Sequence, residues 1–428
     1  MNTSNLPGFR DFYPAEMALR THIFRTWRKV ARRYGFVEYD GPPLESLELY
    51  TRKSGEEIVG QLYGFTDQGG REVALRPEMT PTFARMVGAR AAGLPKPIKW
   101  FSIPQLFRYE RPQRGRLREH FQLNLDIVGE TSVASDVEVV AAAIDVLRGF
   151  GLGPEDVVAR YSDRALVSAV LARLGVDEAA QPAAFAALDK ADRESADWVI
   201  ERLVAAGIEV DAAERVLAAT AWSLDEVREA LAEDPGVRAR LDRLDRFASL
   251  LTSAGLGEFV EFDLRLVRGL AYYTGLVFEV WDRRGAFRAI CGGGRYDNLL
   301  EDLGGPAMPA LGFGMGDVVL AELLRDRDMV PHSEDALDDF VIHVSEEQLP
   351  IALEIVRSLR EAGRRVGFDY RSRSVGRQFK VANQARADRA IVVGPEEVES
   401  GQYVVRTLST GEERRLGLAE LVPNEDGS

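Results

Sequence analysis

The 428-residue sequence predicts an α+β protein of several domains, and three patterns predict it. Alternating and apolar runs at 72–75, 98–107 and 120–128 read as strands set among helical segments. From about 165 to 254 the chain turns alanine-rich, with Val167, Val170, Leu171 and Leu174 in one apolar stripe and Val199 and Leu203 in another. Beyond 325–339, a stretch rich in Asp, Pro, Ser and Glu, strand-like and helix-like segments alternate as in a small α/β sheet.

The first element is a helix over 15–34, where Met17, Ile23, Phe24, Trp27, Val30 and Ala31 recur at helical spacing and Gly35 marks the stop. Gly41-Pro42-Pro43 then holds 36–45 extended. After the strands at 98–107 and 120–128 comes a helix at 135–147. A strand pair at 259–264 and 276–281 resumes the sheet, a turn at Arg283-Arg284-Gly285 precedes 287–290, and a helix follows at 317–324. The last third reads strand 340–344, helix 354–362, strand 365–369, helix 376–384 and strand 390–393. The expected division is a core over 1–164 and 255–326, a helical insertion at 165–254, a linker at 327–339 and a C-terminal α/β domain at 340–428.

With 46% hydrophobic and 29% charged residues, the composition is that of a folded soluble chain. No apolar run approaches the roughly 20 residues that span a bilayer. Cys291 is the only cysteine and there are four histidines, so neither an intrachain disulfide nor a structural zinc cluster is expected. With an N-terminus that shows no charged and then apolar leader, this points to the reducing cytoplasm. A net charge of −14 argues against a purely electrostatic nucleic-acid binder. Between 357 and 380, however, eight basic residues stand against two acidic ones, a basic patch or else a solvated helix face.

The chemistry is densest at Phe107-Arg108-Tyr109-Glu110-Arg111-Pro112-Gln113-Arg114-Gly115-Arg116-Leu117-Arg118-Glu119, where five arginines surround a turn between two strand-like runs. Arginine grips phosphate oxygens in a planar fork and stays charged, so the stretch reads as a nucleotide-triphosphate clamp, with a solvated basic hairpin as the alternative. The run Gly292-Gly293-Gly294 reads as a place where backbone approaches a ligand closely, or as a tight connection after an apolar strand.

The arginine-rich stretch resembles motif 2 of the class II aminoacyl-tRNA synthetases, in the wording of the bacterial histidyl-tRNA synthetases. Nearly the whole chain shares in the resemblance: Leu6-Pro7-Gly8-Phe9-Arg10-Asp11, Arg52-Lys53-Ser54-Gly55-Glu56, Leu62-Tyr63-Gly64-Phe65-Thr66-Asp67, Leu75-Arg76-Pro77-Glu78-Met79-Thr80-Pro81, Leu266-Val267-Arg268-Gly269-Leu270-Ala271-Tyr272-Tyr273-Thr274-Gly275 and Cys291-Gly292-Gly293-Gly294-Arg295-Tyr296-Asp297. It implies a class II antiparallel sheet flanked by helices, a homodimer formed through the first helix and the proline strand, an insertion that touches the acceptor arm of tRNA, and an anticodon-binding C-terminal domain; the sequence of the insertion reads equally as an inert helical spacer. It also implies ATP and magnesium as co-substrate and cofactor, and L-histidine as the amino acid. By match to the family motifs, Arg108 and Arg268 carry catalysis from opposite sides of the reacting centre. Glu78, Thr80, Gln122, Asp126, Tyr272 and Tyr273, with the two arginines, hold histidine; Arg108, Glu110, Arg116 and Arg295 hold ATP. The tyrosine pair reads equally as core packing.

Four positions depart from the family pattern. Val318-Val319 stands where motif 3 carries Glu-Arg, which removes an arginine that contacts the triphosphate, so that either another cation such as Arg116, Arg118 or Arg295 takes over or activity is weakened. Ala271 stands for an Asp, and Asp126 for a longer Glu. These departures keep open a second reading, a histidine-sensing paralogue that regulates ATP phosphoribosyltransferase without charging tRNA. Against it stand Arg108, Arg268 and the basic C-terminal domain. A nucleic-acid-binding module with a dead enzyme core would show decay across the pocket, which is confined here to motif 3.

Overall fold

The computed structural model describes residues 4–51, 59–191, 194–231, 233–267, 272–330 and 336–422. The Arg52–Glu56 motif and the Arg268–Ala271 part of the histidine motif, Arg268 included, lie outside the described residues. The chain divides into two compact units, one of Met1–Phe12 and Leu19–Val330 and the other of Tyr13–Ala18 and Pro331–Ser428. The division falls inside the stretch read as a linker.

The helix Pro14–Arg33 buries Leu19, Ile23, Trp27, Val30 and Ala31, one stripe of a 3.6-residue period. Among the described residues the large unit begins with seven strands: β1 (Val37–Glu38), β2 (Leu44–Ser46), β3 (Tyr63–Thr66), β4 (Glu72–Leu75), β5 (Ile98–Ser102), β6 (Gln105–Phe107) and β7 (Glu119–Val128). Five more complete the unit: β8 (Val157–Asp163), β9 (Val260–Phe262), β10 (Leu276–Asp282), β11 (Cys291–Arg295) and β12 (Ala310–Gly316). The main sheet runs β1-β5-β7-β12-β11-β10-β8-β9, with β6 also paired to β7. Its interior pairings are antiparallel and its two edge pairings, β1 with β5 and β8 with β9, are parallel. β2, β4 and β3 form a separate small sheet.

The glycine run is a central strand and not a turn, which corrects one of the two sequence readings. Its place between β10 and β12 leaves no room for side chains: a Cβ on Gly293 would meet the Gly312 carbonyl oxygen and the Phe313 Cα at 2.7 Å. Close packing thus overrides the low strand propensity of glycine.

Among the described residues, six α-helices fill the alanine-rich segment, Arg164–Arg173, Gln181–Leu188, Ala196–Ala205, Val210–Ala219, Leu224–Ala230 and Pro235–Ser253. Their starts follow from capping: Asp163 accepts from the amides of Ala165 and Leu166, Ser223 and Glu226 form a capping box, and Asp234 precedes Pro235 at the first helical position. Their buried side chains, among them Leu166, Leu244 and Phe247, belong to one apolar cluster with Phe278, Phe313 and Met315 of the sheet. The segment therefore shares its core with the sheet.

The second unit holds β13 (Asp339–His343), β14 (Val366–Phe368), β15 (Arg389–Val393), β16 (Gln402–Thr407) and β17 (Glu413–Gly417) in the order β14-β13-β15-β16-β17. The first three are mutually parallel, joined through the helices Leu349–Glu361 and Val375–Gln384, and the last two add an antiparallel hairpin. Much of the basic patch is neutralised within this unit. Arg364 pairs with Asp339, and Arg365, Arg373 and Arg357 pair with Asp338, Asp369 and Glu361 at 2.8, 2.8 and 2.9 Å. Arg371, Arg377 and Lys380 are exposed and have no ion pair among the described residues.

Candidate active site

β7 and β12 place the site. Residues opposite each other in an antiparallel pair share a face, so Gln122 and Asp126 of β7 share one with Gly316 and Gly312 of β12, and Glu279 of β10 lies opposite Gly292 of β11 on that same face. Glycine makes the floor low enough for the side chains to lie across it. A Cβ on Gly314 would meet the Gln122 amide at 2.8 Å, one on Gly294 would meet the Tyr273 ring at 2.9 Å, and one on Gly312 would strike the Asp126 carboxylate.

Over this floor opens a cleft of about 200 Å³, lined by Arg108, Glu110, Arg116, His120, Gln122 and Glu279 together with Cys291, Val318 and Val319. Arg108 follows β6 directly, and its Nε donates to the Pro77 carbonyl oxygen at 2.9 Å. Arg116 pairs with the buried Glu110 across the arginine-rich turn. Burial first, then the cations Arg108, Arg10 and Arg116, hold the His120 imidazole down to about 3, so it is neutral at physiological pH. The turn itself is bracketed by the helix Asp317–Asp326: Glu322 accepts from the Gly115 amide at 3.1 Å and from Arg114 at 3.4 Å. Gly115 takes φ +73°, where a Cβ would also crowd Val319 at 3.3 Å. Arg10 ties the N-terminal segment in, bonding Glu119 at 2.6 Å and Asp317 at 2.9 Å.

Further along β7, Asp126 is buried and accepts a hydrogen bond from the Tyr296 hydroxyl. Tyr272 lies 5.1 Å from Tyr273 and 6.0 Å from Tyr296, ring to ring, so three tyrosines cluster at this end. Glu78 is buried and Thr80 opens the helix Thr80–Arg90, with Pro81 in its first turn. Arg76 of the same motif braces the backbone, donating to the carbonyl oxygens of Gln105 and Gly41 and to Asp40.

Burial pushes the Asp126 carboxyl up to about 7, opposed by the Tyr296 hydrogen bond. A carboxyl with a raised folded pKa holds its proton more tightly when folded. Its stabilisation is therefore complete below the unfolded value of 3.8 and is lost as pH rises toward 7. Asp126→Asn is expected to flatten that decline by about 3 kcal/mol between pH 4 and 7.5, measured by chemical denaturation. An equally steep decline in the variant would assign it to other groups.

The structure brings Arg108, Glu110, Arg116 and Gln122 to the cleft, and Asp126, Tyr272 and Tyr273 to one end of the floor. It does not bring Arg295 there, and this corrects the reading of Arg295 as an ATP ligand. The side chain is 4% exposed, pairs with Asp136 at 2.6 Å and donates to the Glu130 and Ser132 carbonyl oxygens and the Ser135 hydroxyl. Arg118 is also engaged, stacked 4.1 Å from the Tyr109 ring and donating to the Glu110 carbonyl oxygen. His120, Glu279 and Cys291 line the cleft without having been singled out for it. The period of two from Gln122 back to His120 was the available signal for the first.

A mixed, mainly antiparallel sheet floored by glycine, with an arginine-rich turn over it and a separate α/β unit after it, is the fold of a class II aminoacyl-tRNA synthetase. A family model described as histidyl-tRNA synthetase matches residues 8–317, and one described as an anticodon binding domain matches 339–424. The histidine–tRNA ligase of Opitutus terrae is 44% identical over 411 residues, 95% of this chain and 94% of that one. Among solved structures, the histidyl-tRNA synthetase from Nostoc sp. PCC 7120 superposes with a TM-score of 0.83 at 23% identity, covering 98% of both chains. An ATP phosphoribosyltransferase regulatory subunit/histidyl-tRNA synthetase from Bacillus halodurans C gives 0.73 at 23% identity over 86% of this chain and 93% of that one. The chain belongs to the histidyl-tRNA synthetase family.

Proposed function

We propose that the protein is a histidine–tRNA ligase: it activates L-histidine with ATP and magnesium, then transfers the histidyl group to the 3′-terminal ribose of its tRNA, as a cytoplasmic homodimer. The observation that carries this reading is the single glycine-floored face on which the cleft of Arg108 and Arg116 runs on to the buried Asp126 and its tyrosines.

In the first step the histidine carboxylate attacks the α-phosphorus of ATP, the bond to the bridging oxygen breaks, and pyrophosphate leaves with the electron pair. The attacking group is already ionised, so no general base is needed. The barrier is electrostatic, an anion approaching an anion, and fixed cations lower it. Arg108 is assigned to the α-phosphate and, on the family motif, Arg268 to the opposite side. Gln122 orients the attacking carboxylate, Glu78 and Thr80 receive the ammonium group, and Asp126 with Tyr272 and Tyr273 recognises the imidazole. An unpaired polar group there would cost about 1 to 3 kcal/mol, which is how such a site rejects other amino acids. Magnesium bound with the phosphates would neutralise their charge, and the cleft carboxylates Glu110 and Glu279 are the hard oxygen donors suited to hold it. Among the described residues no three His, Cys, Asp or Glu side chains form a metal cluster of their own, which fits a cation shared with substrate phosphates.

For tRNA, the second unit offers exposed Arg371, Arg377 and Lys380, together with Tyr370, which is 82% exposed and presents its ring to solvent for a base to stack on. Exposed Val37 on an edge strand and Phe65 support a subunit contact of the large unit with a second copy. Among the described residues no helix is long and apolar enough to cross a membrane.

The test is histidine-dependent ATP–pyrophosphate exchange on the purified protein, with the other amino acids as controls and charging of total tRNA alongside. Exchange and charging with histidine alone are expected. Histidine binding without exchange would transfer the reading to the regulatory paralogue, whose fold likeness and the loss of the motif 3 arginine at Val319 are the observations in its favour.

A further inference from the structure

Among the described residues that line the cleft, none comes from the helical insertion, yet its first and last helices are both bonded to segments that carry the tyrosines. The first helix opens at Arg164. There the backbone amide donates to the Gly275 carbonyl oxygen at 3.0 Å, and the side-chain Nη1 donates to the Val267 carbonyl oxygen at 3.1 Å. One residue thus grips both flanks of the segment 267–275, on which Tyr272 and Tyr273 stand. The guanidinium is itself held over the Phe185 ring at 4.2 Å, on the helix Gln181–Leu188 of the insertion.

The helix alone gives no reason for an arginine at this place. A cation in the first turn opposes the helix dipole, and the cap is already supplied by Asp163. Val267 is buried, which makes the loss of a donor to its carbonyl oxygen costly.

The last helix, Pro235–Ser253, makes the second tie. Arg243 donates to the Thr131 carbonyl oxygen at 2.9 Å and pairs with Asp136, the carboxylate that holds Arg295 at 2.6 Å. Arg295 directly precedes Tyr296, whose hydroxyl donates to Asp126. The two tied segments are also bonded to each other, the Thr274 amide to the Arg295 carbonyl oxygen at 2.8 Å and the Thr274 hydroxyl to Asp297 at 3.0 Å. The insertion therefore braces the tyrosine end of the floor, while the arginine-rich turn is braced from elsewhere, by Glu322.

We propose that Arg164 is a positioning residue for histidine: through the Val267 and Gly275 carbonyls it fixes the segment that presents Tyr272 and Tyr273, so that the insertion sets the affinity for the amino acid and not for ATP. The inference rests on the reading of the tyrosine end as the histidine subsite.

The experiment measures histidine and ATP KM in pyrophosphate exchange, equilibrium binding of histidine, and the melting temperature, for the wild-type chain, Arg164→Ala, Arg164→Met and Arg164→Lys. Methionine keeps an apolar stem over Phe185 and removes the donors; lysine keeps a donor. Alanine and methionine are both expected to raise the histidine KM and dissociation constant by at least about tenfold, with the ATP KM within about twofold of wild type. Lysine is expected to recover part of the loss. A merely structural role would lower the melting temperature and leave both KM values in place. Histidine binding by Arg164→Met within about twofold of wild type overturns the inference. So does an ATP KM that rises in step with that for histidine, or loss of the fold in both the alanine and the methionine variants. A wild-type chain that binds histidine but shows no exchange sinks the ligase reading alone, because the binding comparison still decides the role of Arg164.

Discussion

Arg108→Ala is expected to lower histidine-dependent pyrophosphate exchange by at least about 100-fold, the effect of removing one principal donor to developing charge. The guanidinium is half-buried in the cleft and its Nε is fixed on the Pro77 carbonyl oxygen, so, on the proposed role, its remaining donors are held ready for a phosphate bound there. The loss should fall mainly on kcat, since the interaction strengthens as negative charge moves onto the phosphate. Lysine at 108 should recover little of it, because a single ammonium cannot reproduce a planar fork held at one corner. The side chain makes no buried ion pair among the described residues, so the melting temperature should shift by only a few degrees. A variant that exchanges at the wild-type rate, or that loses exchange only because it unfolds, would remove Arg108 from the chemistry. On the family motif the same loss is expected for Arg268→Ala.

What could be read in the sequence was set by how local its causes are. The helix Pro14–Arg33 and the strands β4 and β7 carry their burial pattern in neighbouring residues and fall within a few residues of their expected places, while the run 98–107, read as one strand, divides into β5 and β6. Gln122 and Asp126 were legible through the family motif, and their meeting on one face follows from the period of two along β7. β11 was not legible as a strand, because what makes glycine necessary there is the carbonyl of Gly312 and the ring of Tyr273, which the chain brings in from a distance. Arg295 was misplaced for the same reason: adjacency to a glycine run suggested a ligand, while its true partner, Asp136, lies 159 residues earlier. The charge of 357–380 likewise counted residues whose partners, Asp338 and Asp339, stand before the window.

The floor glycines yield two sharply different expected outcomes from the same substitution. At Gly314 the nearest atoms a Cβ would meet are those of the Gln122 side-chain amide, 2.8 Å away, and that end can swing aside. Gly314→Ala should therefore fold with nearly wild-type stability while its displaced Gln122 no longer orients the histidine carboxylate, lowering kcat/KM for histidine by about 10- to 100-fold. At Gly312 the new Cβ strikes the Asp126 carboxylate and stands 2.6 Å from the Leu125 carbonyl oxygen, which belongs to the paired strand and cannot move without breaking the β7–β12 ladder. Overpacking against backbone makes Gly312→Ala lose about 1 to 3 kcal/mol of stability, and it forces Asp126 away from Tyr296 as well. Denaturation midpoints and exchange kinetics on the two variants decide the matter. If Gly314→Ala loses stability as Gly312→Ala does, the floor is a packing feature throughout; if it keeps both its stability and its kcat/KM, Gln122 is not positioned by the glycine beneath it and has no part in holding the substrate.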